Sequence, residues 1–288
     1  MKLSWVKIFI YDVDHGLCSS VIDSSGNVLL VDCGRGRNFS PIKHIAGELG
    51  VSLQTLSIDL FVLSHPHGDH IEDISNLLKT TVRNKHHTPI SSYTDQELRT
   101  ANTQTGYDNI RLFEKSYSHF TSDGYSPPNW VFSLNTEFSL SVADARQIDK
   151  NNVLNNSSRM TIIEYSGVKI VFTGDIQANA WPKLLSNSSF VAAALYPSVV
   201  IAPHHGHKSS FCSDLYNSIG KPFLNICSLA KGDLHLSSQY SCDTASKGCI
   251  LYGENRWMLS TRSDGTVIIT INDDKWTVDY QQLSSNDF

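Results

Sequence analysis

Cysteine pairs, excess positive charge and long apolar runs are what this 288-residue chain lacks. Its six cysteines, Cys18, Cys33, Cys212, Cys227, Cys242 and Cys249, are scattered and include no CxxC pair. That pattern excludes a disulfide framework and leaves the thiols expected to be reduced and mostly buried, with a Cys242–Cys249 bridge as the lesser alternative. Lys and Arg total 23 against 28 Asp and Glu, a formal net charge of -5, so no bulk positive field advertises a nucleic-acid partner. No stretch approaches the roughly twenty apolar residues that span a bilayer. The opening "MKLSWVKIFIYDVDHG" is broken by Lys7 and Asp12, unlike the apolar region of a signal peptide, so the cytoplasm is the expected location. Ordinary hydrophobic and charged fractions, 40% and 18%, exclude a disordered or collagen-like chain and predict a globular domain.

What is present is a strand rhythm. "LSWVKIFIYDV" and "NVLLVDCG" are β-rich runs separated by the turn "DSSGN". "PIKHIAGELG" opens with proline, closes on Gly50 and carries apolar residues at helical spacing, which predicts a helix over 41–50. "SIDLFVLSHPHGDH" reads as a strand and "IEDISNLLKT" as a helix. Residues 83–130 read as an insertion, with helix around "DQELRTANT" and "NIRLFEKSYSHF". The rhythm resumes in "EFSLSVADA", "MTIIEYSGVKIVFTGD" and "SVVIAPHHG", with helix predicted in "WPKLLSNSSFVAAAL". A β-meander is expected in "WMLSTRSDGTVIITINDDKWTVDY". Alternating strands and helices predict an α/β layered architecture.

The stretch "SHPHGDH" crowds His65, His67, Asp69 and His70 into seven positions at the end of an apolar strand. Packing gives no reward for that. Neutral imidazole and carboxylate bind zinc and neighbouring divalent metals, and a tight turn lets alternate side chains aim at two nearby ions. Gly68 permits the sharp turn. His204 and His205, before Gly206 at another strand end, form a second candidate group. Asp32 reads as a structural carboxylate satisfied by the ligand-bearing loop, and His15, His44, His86, His87 and His119 read as surface or core residues.

Together these motifs resemble a metallo-β-lactamase-fold hydrolase, and more narrowly the soluble C-terminal domain of ComEC-type DNA-uptake proteins and its stand-alone relatives. The narrower likeness is carried by "YDVDHGLCSSVI" with "NVLLVDCG", "NNSSRMTIIEY", "VFTGDI", "APHHGHKSS" and "STRSDGTVIIT", with a weaker match at "SLAKGDLHLSS". The chain departs at His15-Gly16-Leu17, where that family shows Gln-Gly-Asp, and at His207, where it shows serine. It also has no histidine between His119 and His204, where many such enzymes hold a metal ligand.

The resemblance implies an αββα sandwich, two mixed β-sheets flanked by helices, formed by 1–288 as one domain with the insertion at about 83–130. It implies two divalent ions, zinc or manganese, with His65 and His67 facing one, Asp69 and His70 the other, Asp175 between them and His235 completing the second. Asp69, His204, His205 and Lys208 are the expected catalytic and substrate-contacting residues. The implied reaction is phosphodiester hydrolysis, most plausibly of DNA, single-stranded or short, in a bacterial DNA-processing or defence system. Hydrolysis of small esters, lactones or cyclic nucleotides is the alternative within enzymes, and an inactive metal-binding regulatory module the alternative outside them. The insertion is the expected seat of specificity, as a lid or a protein-partner surface. Its aromatics Tyr93, Tyr107, Phe113, Tyr117, Phe120 and Tyr125 are expected to make a local core or to stack bases.

Overall fold

The computed structural model describes residues 4–118, 128–273 and 275–283. His119, Phe120 and Tyr125 lie outside them. Thirteen strands form two mixed sheets. The first contains β1 (Trp5–Ile10), β2 (Ser19–Asp23), β3 (Val28–Val31), β4 (Leu60–Val62) and β5 (Lys85–His86). The second contains β6 (Ser133–Asn135), β7 (Thr161–Tyr165), β8 (Val168–Phe172), β9 (Val199–Ile201), β10 (Leu224–Cys227) and β11 (Met258–Ser260). The chain then returns to the first sheet as β12 (Thr266–Asn272) and β13 (Trp276–Gln281). The orders are β13-β12-β1-β2-β3-β4-β5 and β11-β10-β9-β8-β7-β6.

Side-chain alternation explains why the sheets stack. Along β1, Val6, Ile8 and Ile10 enter a core shared with Ile170, Phe172, Val199 and Ile226 of the second sheet, while Phe9 points the other way. Along β8, Ile170 and Phe172 face that central core and Val171 faces outward. Each outward face is then covered. Helices α1 (Pro41–Glu48), α2 (Ile74–Leu77), α3 (Asp95–Ala101), α4 (Gln104–Ser116), α5 (Val142–Ile148) and α6 (Val153–Asn156) contribute to the core that contains Phe9 and Phe61. Helices α7 (Trp181–Leu185), α8 (Ser188–Ala194) and α9 (Ser213–Ile219) contribute to the core around Val171 and Val200. The result is the four-layer αββα sandwich, and fully burying each such apolar side chain is worth about 1.5–3 kcal/mol.

Two expectations are corrected. "EFSLSVADA" is not a strand: Ser141 Oγ accepts from Asp144 N at 3.0 Å and caps α5, so the polar cap overrides the alternation of Phe138, Leu140 and Val142. The edge strand of the second sheet lies earlier, at β6. The terminal meander is divided, because β11 pairs with β10 while β12 pairs with β1 and β13. "SDG" thus carries the chain between sheets instead of turning a hairpin. Tyr93, Tyr107, Phe113 and Tyr117 are 8% exposed or less and belong to the outer core of the first sheet, the core role expected of them rather than base stacking. The six thiols are unbridged, and Cys18, Cys33 and Cys227 are buried. No helix among the described residues is long and apolar enough to cross a membrane.

Candidate metal centre

Four strands, two from each sheet, end at one edge of the sandwich. β3 runs into Asp32, β4 into Ser64 and the histidine turn, β8 into Asp175, and β9 into His204 and His205. Pairing of β3 with β4 and of β8 with β9 is parallel, so each pair delivers both its loops to the same side. That topology gathers residues far apart in the chain.

The gathered set is compact. Asp175 Oδ2 lies 3.2 Å from His205 Nε2, 3.5 Å from His70 Nε2 and 3.6 Å from His65 Nε2. Asp69 Oδ2 lies 3.9 Å from His205 Nε2 and 4.0 Å from His70 Nε2. Two groups have ligand atoms within 4.8 Å of one another: His65, His67 and Asp175, and Asp69, His70 and His205. Asp175 Oδ2 stands between them, facing imidazoles of both.

The supporting bonds fix which nitrogen faces inward. Asp32 accepts from Ser64 N at 2.7 Å, Ser64 Oγ at 2.8 Å and His70 Nδ1 at 2.8 Å, so His70 directs Nε2 at the centre. This is the structural role expected of Asp32. Asp175 N donates to Ser158 Oγ at 3.0 Å. Asn102, between α3 and α4, accepts from Gly68 N at 2.6 Å and donates to Pro66 O at 3.2 Å. Gly68 is demanded by close approach, since a Cβ there would lie 2.5 Å from Gly106 Cα of α4. The segment from α3 to α4 therefore buttresses the ligand turn.

A hydrogen-bond relay holds His204. Ser209 N donates to His207 Nδ1 at 3.1 Å, Ser209 Oγ to Gln177 Oε1 at 2.7 Å, and Gln177 Nε2 to His204 Nδ1 at 2.6 Å. With Nδ1 accepting, His204 carries its proton on Nε2, which lies 3.9 Å from Asp175 Oδ2. Its side chain is 28% exposed, against 0% for His65 and His70 and 11% for His205.

Charge follows the same geometry. Burial pushes Asp175 upward, but His205, His70 and His65 outweigh it and hold the carboxyl well below its usual range. Burial lowers His65 and His67, and pulls His204 down to about 4. Burial also acts to lower His70, yet Asp32, Asp175 and Asp69 raise it well above the ordinary value; Asp175 likewise raises His205. The centre is a buried place that favours cationic charge. The Nε2 atoms of His70 and His205 are buried and make no hydrogen bond of acceptable direction. Four imidazoles and two carboxylates, with two inward nitrogens left over, fit divalent metal ions.

The expected residues divide as follows. His65, His67, Asp69, His70 and Asp175 come together. His205, expected at the substrate, joins Asp69 and His70 instead. His235, expected as a metal ligand, belongs to neither group: its side chain is 61% exposed, bonded to Asp233 Oδ1 at 3.0 Å, with its ring tilted against that of His207 at 4.9 Å. The loop holding it is tied outside the centre by Lys208 N donating to His235 O at 2.9 Å. Lys208 itself is exposed on that rim. Ser64, Ser158, Gln177 and Ser209 were not among the predicted residues, although the quoted motifs contain three of them.

No protein-family model and no curated protein matches the chain. Among solved structures, the chain is similar to the metallo-β-lactamase fold protein YhfI from Bacillus subtilis, at 16% identity and TM-score 0.45 over 81% of this chain and 89% of that one. It is also similar to a long form RNase Z from yeast, at 11% identity and TM-score 0.42 over 95% of this chain and 42% of that one. A metallo-β-lactamase from Cronobacter sakazakii follows at 15% identity and TM-score 0.35 over 65% and 74%.

Proposed function

We propose that the chain is a metal-dependent hydrolase of phosphodiester bonds, acting on DNA that is single-stranded or short. One observation carries the reading: Asp175 Oδ2 stands 3.2–3.6 Å from three inward imidazole nitrogens that belong to two separate ligand groups. A structural staple needs one closed tetrahedral set, whereas a shared carboxylate between two open sets suits hydrolysis. The preference for phosphodiesters over lactones or small esters is supported by the motif resemblance and by Lys208 on the rim.

His65, His67 and Asp175 would hold one divalent ion, and Asp69, His70 and His205 the other. Lewis acidity supplied there polarises a phosphoryl oxygen and lowers the pKa of water toward neutrality. The chain's own contribution is orientation and proton placement. Asp32 and Ser64 lock His70, so its Nε2 does not swing out to solvent. His204, neutral near pH 7 with its proton on Nε2, offers a hydrogen bond to a phosphoryl or leaving oxygen at the open side of the centre. Gln177 keeps that tautomer in place. Lys208 supplies a cation where substrate charge enters.

Metal analysis combined with a plasmid- and oligonucleotide-degradation assay in Mn²⁺ and Zn²⁺ tests the reading. Two ions per chain and activity lost in a His70→Ala, Asp69→Ala variant are expected. Equal inertness of loaded wild type and variant on DNA, RNA, cyclic nucleotides and model phosphodiesters would overturn it.

A further inference from the structure

A pocket of about 420 Å³ opens where β5, the edge strand of the first sheet, faces the turn that follows β6, the edge strand of the second. Parallel pairing of β5 with β4 sends His87 toward the same end of the sandwich as the histidine turn. Backbone bonds join the two places: Arg159 N donates to Ser64 O at 2.8 Å, and Leu63 N to His86 O at 3.0 Å.

Two cations line the pocket, Lys85 and Arg159, and both are half-buried. Each is held by an uncharged neighbour. Arg159 Nη1 donates to Thr136 O at 2.6 Å, and Lys85 Nζ lies 5.6 Å from the centre of the Phe113 ring. Among the described residues neither enters an ion pair. Burial pushes both below their ordinary values, so each charge is kept at a cost that an incoming anion offsets. Arg159 Nε is closed off inside the protein, which leaves the Nη2 end for a ligand. Asn84 commits Oδ1 to Lys85 N at 2.8 Å and keeps its amide donors.

Opposing charge is small. Glu137, exposed at the rim, is the single carboxylate of the lining. His86 and His87 add no charge near pH 7, because burial lowers the first and holds the second at about 4. The pocket is therefore net positive on a chain whose formal net charge is -5. A guanidinium fork beside an ammonium suits phosphate oxygens.

We propose that this pocket seats a phosphate of the substrate strand other than the scissile one, with Arg159 Nη2 and Lys85 Nζ as its charge partners and Asn84 as a neutral donor. The inference rests on the phosphodiesterase reading above and adds a path to it: the polynucleotide runs from the metal centre past Ser64 toward β5. Residues that open the insertion thereby take part in substrate choice.

The experiment uses the metal-loaded full chain and two probes. A fluorescein-labelled oligothymidylate with phosphorothioate linkages, which keep the charge and slow cleavage, reports strand binding by anisotropy across a salt series. Bis(4-nitrophenyl) phosphate, with a single phosphate, reports hydrolysis. Lys85→Gln and Arg159→Gln should each raise the ratio of strand Kd to model-ester KM by about three- to tenfold, and flatten log Kd against log salt by about 0.7, the value of one phosphate contact on a single strand. Arg159→Lys should keep the wild-type slope and raise the ratio about twofold, because the charge survives and the fork is lost. If wild type binds the strand and neither glutamine variant moves ratio or slope, the pocket is overturned and the phosphodiesterase reading stands. A melting temperature raised by inorganic phosphate in wild type and not in Lys85→Gln, with strand binding unmoved, would give the pocket to free phosphate and overturn the strand assignment. Strand binding weakened by both glutamine variants, in a chain that leaves the model ester intact, would overturn the phosphodiesterase reading and keep the pocket.

Discussion

The turn Ser64–His70 and the turn Pro203–Ser209 face each other across the centre, yet they are held by unlike means. Residues 64–70 keep every φ negative, and their shape is imposed from outside by Asp32 and Asn102. In the opposite turn His204, His205 and Gly206 have φ of 46°, 60° and 89°, three successive residues in the left-handed region. For the two histidines that backbone costs about 1–2 kcal/mol each. It is compensated mainly within the turn, by Ser210 Oγ donating to Pro203 O at 2.6 Å and His207 N to His204 O at 2.8 Å, with Gln177 adding a bond to the His204 ring from 27 positions away. One half of the donor set is therefore caged by distant residues and the other is strained and self-braced. Each half is thus vulnerable at a different point.

The largest effect should come from the one residue both halves share. Asp175→Ala is expected to reduce bound metal from two ions to one or none and to lower kcat/KM by about 10³-fold or more, several kcal/mol of lost transition-state stabilisation. Metal analysis and steady-state kinetics check both. The braces should then separate. Asp32→Asn, acting on the caged half, should weaken metal affinity by about 10–100-fold, read by competition with a chelator. Gln177→Leu, acting on the self-braced half, should leave metal content unchanged while kcat falls about tenfold, because His204 loses its orientation and not a ligand.

Backbone substitutions sharpen the contrast further. At Gly206 an alanine Cβ would lie 2.5 Å from Cys227 Sγ and also occupy a φ of 89°, so Gly206→Ala should cost about 2–3 kcal/mol. Gly68→Ala meets Gly106 Cα at the same 2.5 Å without a left-handed φ, and about 1–2 kcal/mol is expected. Denaturant unfolding of both variants checks the order. A pH-dependent effect lies away from both turns. Burial holds His87 at about 4, below the 6.5 of an unfolded imidazole, so the unfolded chain takes up the proton first as pH falls. Stability should drop between pH ~6.5 and ~4, and His87→Phe should recover about 1–3 kcal/mol of that loss near pH 4 while changing the slope little above pH 7. Equal pH slopes in the two proteins would refute it.

The caged half was readable in the sequence because its candidate donors share one strand and one turn. His65, His67, Asp69 and His70 needed only local geometry, and Asp175 was marked by its glycine after the apolar strand of β8. The self-braced half was less readable. Whether His205 binds metal or meets substrate depends on two left-handed residues, which no composition rule demands of histidine, and the Gln177–His204 bond spans 27 positions. His235 failed for the same reason: a loop residue's aim is set by what the loop packs against, here Asp233 and His207. Helices α3 and α4 carried their own signals. Thr94 and Glu97 form a reciprocal capping box, while Thr103 caps α4, so these helices were visible even though their packing onto the first sheet was not.

The pairing of β1 with β12 has a consequence for how the molecule is made. Trp5 lies opposite Asn272 and Ile10 opposite Val267, so β1 waits for a strand made roughly 260 residues later before that sheet is complete. Closure over so long a separation predicts slow folding dominated by sequence-distant partners. During synthesis the free edge of β1 is open to pairing with other nascent chains, and a variant that weakens β12 should first be noticed as aggregation during expression.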